Sequence, residues 1–130
     1  MIRSLARYWR NQQGGSAAEF ALIVVPFCAV LFAIVNGSMM LYAANNLQYA
    51  AEVGARCAAV MFRAGQSCAA KNATVVQNYA AARYTGPNIS PSFVYSATGC
   101  GNTVTATGTF PLNIVVYSTS VSLSASACYP

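Results

Sequence analysis

The sequence predicts an α+β protein with a long N-terminal membrane-type helix, a second short helix and a small antiparallel sheet of three or four strands. An apolar run lies near the N-terminus: the sixteen residues from Phe20 to Val35 have only Cys28 as a polar side chain. Helical periodicity follows this run, and strict alternation of apolar residues with Ser or Thr dominates after Tyr84. The length of 130 residues allows one small domain beyond the membrane helix.

The first helix is predicted over residues 15–43. About 20 apolar residues, at about 1.5 Å each, cross a hydrocarbon layer roughly 30 Å thick, so Phe20 to Ala43 is long enough to span. Pro26 lies within this stretch, where a membrane helix tolerates it as a kink. Aromatic residues, which prefer the membrane interface, flank it at Tyr8, Trp9 and Tyr42.

Flanking charge predicts the orientation of this helix. Arg3, Arg7 and Arg10 precede it, whereas the first positive charge beyond it is Arg56. This asymmetry keeps the N-terminus in the cytoplasm and exports the remainder of the chain. A removed secretory signal has a similar outline, but no small-x-small cleavage site follows the apolar run, so we expect a retained helix.

A second helical segment is predicted over residues 44–63. Its polar side chains recur at helical spacing on one face: Asn45, Gln48, Glu52, Arg56 and Arg63. Glu52 and Arg56 form an i,i+4 pair that stabilises a helix by about 0.2–0.5 kcal/mol. The remaining positions are small: Ala50, Ala51, Gly54, Ala55, Ala58 and Ala59. Such a surface can pack against the protein's own sheet, against neighbouring helices in an assembly, or against both with different parts of the helix, and the sequence does not decide.

The shorter helix is predicted over residues 71–84, with Asn72 as a candidate N-cap and Gly86-Pro87 as the stop. Strands are predicted within 92–128, where apolar residues alternate with Ser, Thr and Asn. Pro111 is expected to break the central run, which makes Ile114 to Tyr117 a separate short strand or a bulged extension.

No charged side chain occurs from Tyr84 to the C-terminus. The uncharged Ser/Thr surface has two readings. One is a solvated sheet face, and the other is a contact surface, because a sheet edge without charges is poorly protected against pairing with another chain.

Four of the five cysteines fall on the predicted exported side, and Cys28 lies inside the span. An even number of cysteines in an oxidising compartment indicates two disulfides, for which three connectivities exist. Proximity along the chain favours Cys57–Cys68 and Cys100–Cys128. A metal site is not expected, because the chain has no histidine and no C-x-x-C pair.

Composition argues against an enzyme and against nucleic-acid binding. The only carboxylates are Glu19 and Glu52, and no motif frames the sole lysine, Lys71, so no acid–base pair or activated nucleophile is apparent. No phosphate-binding loop or cofactor motif is present. The net charge of +5 comes partly from Arg3, Arg7 and Arg10, and the other positive charges are spread over 56–83, without the clustering of a phosphate-binding face.

The most specific motif surrounds the start of the apolar run. A basic leader ends at Gly14-Gly15, small residues follow, and Glu19-Phe20 opens the helix. This pattern resembles the type IV prepilins of the tight-adherence (Tad, or Flp) system, in the TadE-type pseudopilin branch. The segment LQYAAEVGARCAAV, residues 47–60, resembles the small-residue helix of TadE-like proteins.

The resemblance implies a processing site and an assembly residue. A membrane prepilin peptidase would cut after Gly14, which places Glu19 fifth in the mature chain, and would recognise Gly14, Gly15, Glu19 and Phe20. Cutting after Gly15 would leave Glu19 fourth. Glu19 would then serve assembly by meeting the terminal amine of an adjacent subunit. The alternative is that Glu19 simply lies among the lipid headgroups, where a charge costs less than at mid-bilayer.

The expected organisation is a prepilin leader at 1–14, an assembly helix at 15–43 and an exported domain at 44–130. The implied function is that of a structural minor pilin. Its partners would be the prepilin peptidase, other pilin and pseudopilin subunits, the inner-membrane assembly platform and membrane lipid. It would reside in the inner membrane with its C-terminal domain in the periplasm, or outside the cell in the pilus. The alternative is an uncleaved single-pass protein whose exported domain is a binding or scaffold module.

Overall fold

The computed structural model describes residues 15–60, 68, 72–114 and 117–130. Its elements are helices α1 (Gly15–Val60) and α2 (Ala73–Arg83) and strands β1 (Ser92–Thr98), β2 (Gly101–Ile114) and β3 (Tyr117–Tyr129). These elements confirm the predicted α+β class, with three strands. The predicted leader 1–14, Arg63 and Lys71 lie outside the described residues.

The chain divides into two compact units, residues 1–36 and residues 37–130. Helix α1 contributes residues to both, and it is continuous across residues 43 and 44, where the sequence placed the limit of the spanning segment. Pro26 lies inside this helix without ending it. The helix was predicted to reach residue 63; it is described to Val60, and residues 61–67 lie outside the described part.

The core of the second unit forms between α1, α2 and the sheet. One stripe of α1 is fully buried, and its members are mostly small: Ala43, Leu47, Ala50, Ala51, Gly54, Ala55 and Ala58. They pack with Val76 and Ala80 of α2 and with Phe93, Val104, Ala106 and Phe110 of the sheet. The small-residue face of α1 therefore packs within its own domain, as the first of the alternatives predicted.

Gly54 marks the closest approach of α1 to its neighbours. A Cβ atom added at Gly54 would lie 2.9 Å from the Cβ of Ala80 and 3.4 Å from a methyl group of Val104. Only hydrogen fits there, because carbon atoms in contact are normally about 3.5–4 Å apart. The sequence of small residues thus sets how closely α1 can lie to α2 and β2.

Helix α2 has the predicted N-cap. The side-chain oxygen of Asn72 accepts a hydrogen bond from the backbone N–H of Thr74 at 3.1 Å, which satisfies one free donor of the first turn. The helix ends at Arg83, whose guanidinium lies over the Tyr79 ring, 4.9 Å from its centroid. Arg83 also donates to the Tyr79 hydroxyl at 3.1 Å. The segment after α2 then bends at Gly86 and Pro87.

Tyr84 closes this bend by a hydrogen bond. Its half-buried hydroxyl donates a hydrogen bond to the carbonyl oxygen of Pro87 at 2.7 Å. Burial raises the pKa of Tyr84 above 10.0, and the neighbouring Tyr42 raises it further. The fold therefore favours the neutral phenol over the phenolate.

A pH dependence follows from this preference. Because the folded-state pKa of Tyr84 exceeds the unfolded value of about 10, its contribution to the free energy of unfolding is fully present below pH about 10. It is lost as the pH rises through the folded-state pKa. We expect Tyr84→Phe to cost about 1 kcal/mol at neutral pH and to remove this part of the alkaline loss. Denaturant midpoints of both proteins from neutral to alkaline pH measure it, and equal alkaline slopes would contradict it.

The sheet is an antiparallel meander in the order β1-β2-β3. β1 pairs with residues 101–107 of β2, whereas β3 pairs with β2 from Asn102 to Ile114. Gly99 and Cys100 form the first turn, and Gly101 takes a φ of +123°, a conformation that favours glycine. The sheet is thus three-stranded near this turn and two-stranded beyond residue 107.

The prediction that Pro111 breaks the central run is wrong. β2 continues through Pro111, which lies opposite Ser120 of β3. Thr109 donates its backbone N–H away from β3, to the carbonyl oxygen of Ile89 at 3.0 Å. Because N–H directions alternate along a strand, position 111 has the same orientation, and β1 does not extend that far. Proline therefore removes a donor that the sheet does not use.

The residues between the two long strands also differ from the prediction. Ile114 ends β2 and Tyr117 begins β3, and the two residues are paired. They belong to the two arms of one hairpin rather than to a separate short strand or a bulged extension. The sequence did not predict this hairpin because the alternation of apolar and polar residues weakens near Ile114. Without alternation, the end of one strand cannot be distinguished from a turn between two strands.

Two disulfides lie in the second unit. Cys57 at the end of α1 bonds to Cys68, with Cα atoms 5.8 Å apart. Cys100 in the first turn bonds to Cys128 near the end of β3, with Cα atoms 6.4 Å apart. These are the pairs that proximity favoured. Cys57 and Cys68 are fully buried, whereas Cys100 and Cys128 are exposed.

The difference in exposure predicts an order of reduction. Thiol reductants attack a sulfur atom directly, so access controls the rate. We expect Cys100–Cys128 to open first under mild reductant in the folded protein, and Cys57–Cys68 to open only with unfolding. Replacing either pair by serine should cost about 3 kcal/mol of unfolding free energy. Mass-resolved thiol alkylation over time gives the order, and simultaneous opening of both bonds would contradict it.

Candidate functional site

The first unit presents an apolar surface that nothing within the described residues covers. Side chains from Phe20 to Val35 are largely exposed, reaching 77% for Leu22. The most apolar 18-residue window of α1 has a mean hydropathy of 2.6 and is wholly unburied. By length and composition, α1 can cross a membrane, and an uncovered apolar surface of this kind is stable only in lipid or against another protein.

Glu19 lies at the start of this surface. It is the fifth residue of α1, which begins at Gly15. Its side chain is exposed, and Phe20 beside it is 69% exposed. Gly14 lies outside the described residues. Three of the four predicted processing residues are therefore brought together in the first five or six positions of one helix.

The structure shows two polar side chains of the apolar segment, and of these only the hydrogen bond of Asn36 was not predicted. Asn36 donates its side-chain amide to the carbonyl oxygen of Phe32 at 2.8 Å, so its polarity is satisfied within the helix. This bond explains how a polar residue can follow directly on the apolar run. Cys28 is a free, half-buried thiol on the same helix and behaves there as a small apolar residue.

The second unit has an open groove of about 500 Å³ between α1 and the end of β3. Its polar side chains come from the face of α1 that the sequence predicted, namely Gln48, Glu52 and Arg56. Gln48 donates to a carboxylate oxygen of Glu52 at 3.0 Å and to the carbonyl oxygen of Ser126 at 3.5 Å. Sequence reasoning missed the other wall, Ala127 to Tyr129, because no local pattern shows that β3 ends beside α1.

The chemistry of the described residues is limited. None of them form a group of three or more His, Cys, Asp or Glu side chains that could hold a metal ion. Glu52, the carboxylate of the groove, is engaged by the Gln48 amide. The features that stand out are therefore surfaces: the apolar helix with Glu19, and the sheet.

The apolar helix with Glu19 lies in the part of the chain that resembles known proteins. Residues 14–56 match the family of TadE-like proteins. No curated protein and no solved structure matches the chain. The matched region starts at the glycine before α1 and contains Glu19, the whole apolar surface and most of the buried stripe of α1. TadE-like pilus proteins are structural proteins rather than enzymes. Over residues 14–56 this chain is similar to TadE-like proteins, which confirms the resemblance seen in the sequence for that segment.

Proposed function

We propose that this chain is a minor pilin of the Tad pilus that is processed by a prepilin peptidase and joins other subunits through α1. The observation that carries the proposal is the uncovered apolar helix with one carboxylate at its start, within a TadE-like segment. An ordinary membrane anchor needs the apolar run but has no use for Glu19.

Cleavage after Gly14 would create a new positive charge close to this carboxylate. The mature chain would begin at Gly15, the first residue of α1, and Glu19 would be fifth. The terminal amine of one subunit and the carboxylate of its neighbour would then form an ion pair. In an apolar environment such a pair is stronger than in water, but desolvation offsets much of the gain, so it sets register more than net stability.

The same helix explains how the subunit could move between lipid and fibre. Its exposed apolar side chains would contact lipid before assembly and the apolar helices of other pilins afterwards. Because both surroundings have similar polarity, the transfer requires little net desolvation of apolar surface. Glu19 costs less near the interface than the roughly 2.5–3.5 kcal/mol of a mid-bilayer charge, and pairing would offset that cost.

The proposed topology places the leader in the cytoplasm and the domain of residues 44–130 in the periplasm. The leader arginines support this orientation. The disulfides Cys57–Cys68 and Cys100–Cys128 support it too, because such bonds persist in oxidising compartments. The assembly platform of the inner membrane and the other pilin subunits would be the partners.

Co-isolation of tagged chain with pilin subunits tests the proposal. The chain is extracted in mild detergent from cells that make all Tad subunits, and pilin is measured in the isolate. A strain that makes the chain alone is the control. We expect pilin to co-isolate with the chain and to depend on α1. Isolation of the chain without pilin, in uncleaved form, would instead support a single-pass anchor with a scaffold domain.

A further inference from the structure

The groove between α1 and the end of β3 carries two exposed aromatic rings that lie outside the core. Tyr49 of α1 is 55% exposed and Tyr129 of β3 is 41% exposed, and both line the groove. Neither belongs to the buried core of the second unit or to the hydrophobic residues packed against it. A single exposed ring is ordinary on a protein surface, but two that line one concave surface are typical of a binding site.

Three polar side chains of α1 line the same groove: Gln48, Glu52 and Arg56. They supply an amide, a carboxylate and a guanidinium group. Each of these groups is planar and can form two neighbouring hydrogen bonds, and together they offer both donors and acceptors. The carboxylate and the guanidinium have opposite charges, and the other lining residues are uncharged. The groove therefore has no net formal charge.

Hydrogen bonds hold the two walls of the groove together. The Gln48 amide donates to a carboxylate oxygen of Glu52 at 3.0 Å, which positions that carboxylate on the α1 wall. The same amide donates across to β3, to the carbonyl oxygen of Ser126 at 3.5 Å. On the β3 side, the Asn102 amide donates to the carbonyl oxygen of Tyr129 at 3.4 Å. Because the walls are already held, a ligand loses less affinity to the ordering of the site.

The chemistry of the lining residues selects the class of ligand. A lipid or another wholly apolar molecule would leave the polar atoms of three side chains unpaired, which costs free energy. A small anion would meet the Glu52 carboxylate, and a small cation would meet the Arg56 guanidinium. An added peptide strand binds mainly through backbone groups of a sheet, whereas the polar groups here are side chains of a helix. A sugar ring fits both features, because its hydroxyl groups pair with planar polar groups and its C–H face lies on the negative face of an aromatic ring.

We propose that this groove binds a neutral glycan chain, with sugar rings on Tyr49 and Tyr129 and hydroxyl groups on Gln48, Glu52 and Arg56. The volume of about 500 Å³ lies within the range of about 300–1,000 Å³ that is typical of ligand sites. Because the groove is open, the glycan chain can continue beyond the bound sugars. The groove lies wholly in the second unit, so glycan binding goes beyond the minor-pilin function and does not depend on it.

Titration of the full chain with oligosaccharides tests this proposal. The chain is purified in a detergent without a sugar headgroup, and calorimetry measures the binding of tetramers of N-acetylglucosamine, glucose and galacturonic acid. We expect saturable binding of at least one neutral tetramer. The anionic tetramer should bind at least about tenfold more weakly, because a groove without net charge does not offset the desolvation of its carboxylates. Absence of saturable binding by both neutral tetramers, or tighter binding of the anionic one, in protein that retains both disulfides would overturn the proposal.

Substitutions of tyrosine then show whether the sugar binds in this groove. Tyr49→Ala and Tyr129→Ala should each weaken binding about tenfold, because each removes a ring on which a sugar lies. Tyr49→Phe keeps the ring and should bind within about threefold of the unchanged chain. Tyr42→Ala is the matched control, because Tyr42 is 50% exposed on the same helix but does not line the groove. Equal affinities of the folded Tyr42→Ala and Tyr49→Ala variants would contradict binding at this site.

Two further measurements identify the occupant of the groove. A peptide of alternating alanine and serine is titrated as the competing class of ligand, and peptide binding that depends on Tyr49, without sugar binding, would overturn the proposal. Sedimentation with peptidoglycan sacculi from the producing cells separates two sources of glycan. Co-sedimentation that Tyr49→Ala abolishes means that the glycan belongs to the cell's own wall. A chain that binds a neutral tetramer but does not sediment with sacculi binds a glycan from another source.

Discussion

Replacing Glu19 by alanine is expected to reduce co-isolation of the chain with pilin at least about thirtyfold, while its insertion in the membrane is unchanged or improved. The reason is that removing one partner of a desolvated ion pair costs about 2–5 kcal/mol. In the membrane, by contrast, the carboxylate is a cost, and its loss favours insertion. A loss of co-isolation together with unchanged or improved insertion distinguishes a residue that pairs with another subunit from one that only lies among the lipid headgroups.

Two controls make this result specific. Glu52→Ala removes the only other carboxylate of the chain, which lies in the second unit, and should leave co-isolation with pilin unchanged. Glu19→Gln keeps the size of the side chain without its charge and should behave like alanine. The mature mass of each variant shows whether the leader was cut. Normal cleavage with normal co-isolation in Glu19→Ala would contradict the proposed role of Glu19.

The largest expected effect on stability is at Gly54. Gly54→Leu should prevent the second unit from folding, because even a single Cβ there would lie 2.9 Å from Ala80. Gly54→Ala should cost about 1–3 kcal/mol from overpacking, although alanine favours a helix by about 1 kcal/mol over glycine. Gly37 is the control: it lies in the same helix with nothing within 4 Å of its added Cβ, so Gly37→Ala should stabilise.

A double substitution shows whether the cost comes from this contact. In the Gly54→Ala background, Ala80→Gly removes the atom that the new Cβ meets. We expect the pair to be more stable than the sum of the single effects predicts, by about 0.5–3 kcal/mol. Chemical denaturation of the four proteins measures this coupling. Additive effects would mean that α1 does not lie against α2 as described.

The sequence was sufficient for elements whose signals are local. The apolar run predicted α1, Asn72 predicted the start of α2, and alternation of apolar with Ser or Thr predicted the strands. Each of these depends on neighbouring residues along the chain. The spacing of Glu19 from the leader glycines, also a local feature, led to the family that residues 14–56 match.

What the sequence missed depends on contacts between distant segments. Pro111 was expected to break a strand. A proline is accepted at that position because β1 ends before it and needs no N–H donor there, which the sequence alone does not show. From the sequence, the small-residue face of α1 could pack within the domain or in an assembly. The structure shows that it packs within the domain, where a Cβ added at Gly54 would lie 2.9 Å from the Cβ of Ala80. The position of β3 at one side of the sheet follows from the strand order, which alternation alone does not determine.

The mature N-terminus tests the central claim most directly. The intact mass of the chain is measured from cells with and without the prepilin peptidase. The proposal predicts a peptidase-dependent chain that starts at Gly15, with Glu19 fifth; a start at Ser16 would keep the class and move Glu19 to fourth. A chain that still begins at Met1 in cells with active peptidase would contradict the minor-pilin function and leave an uncleaved membrane protein with an exported domain.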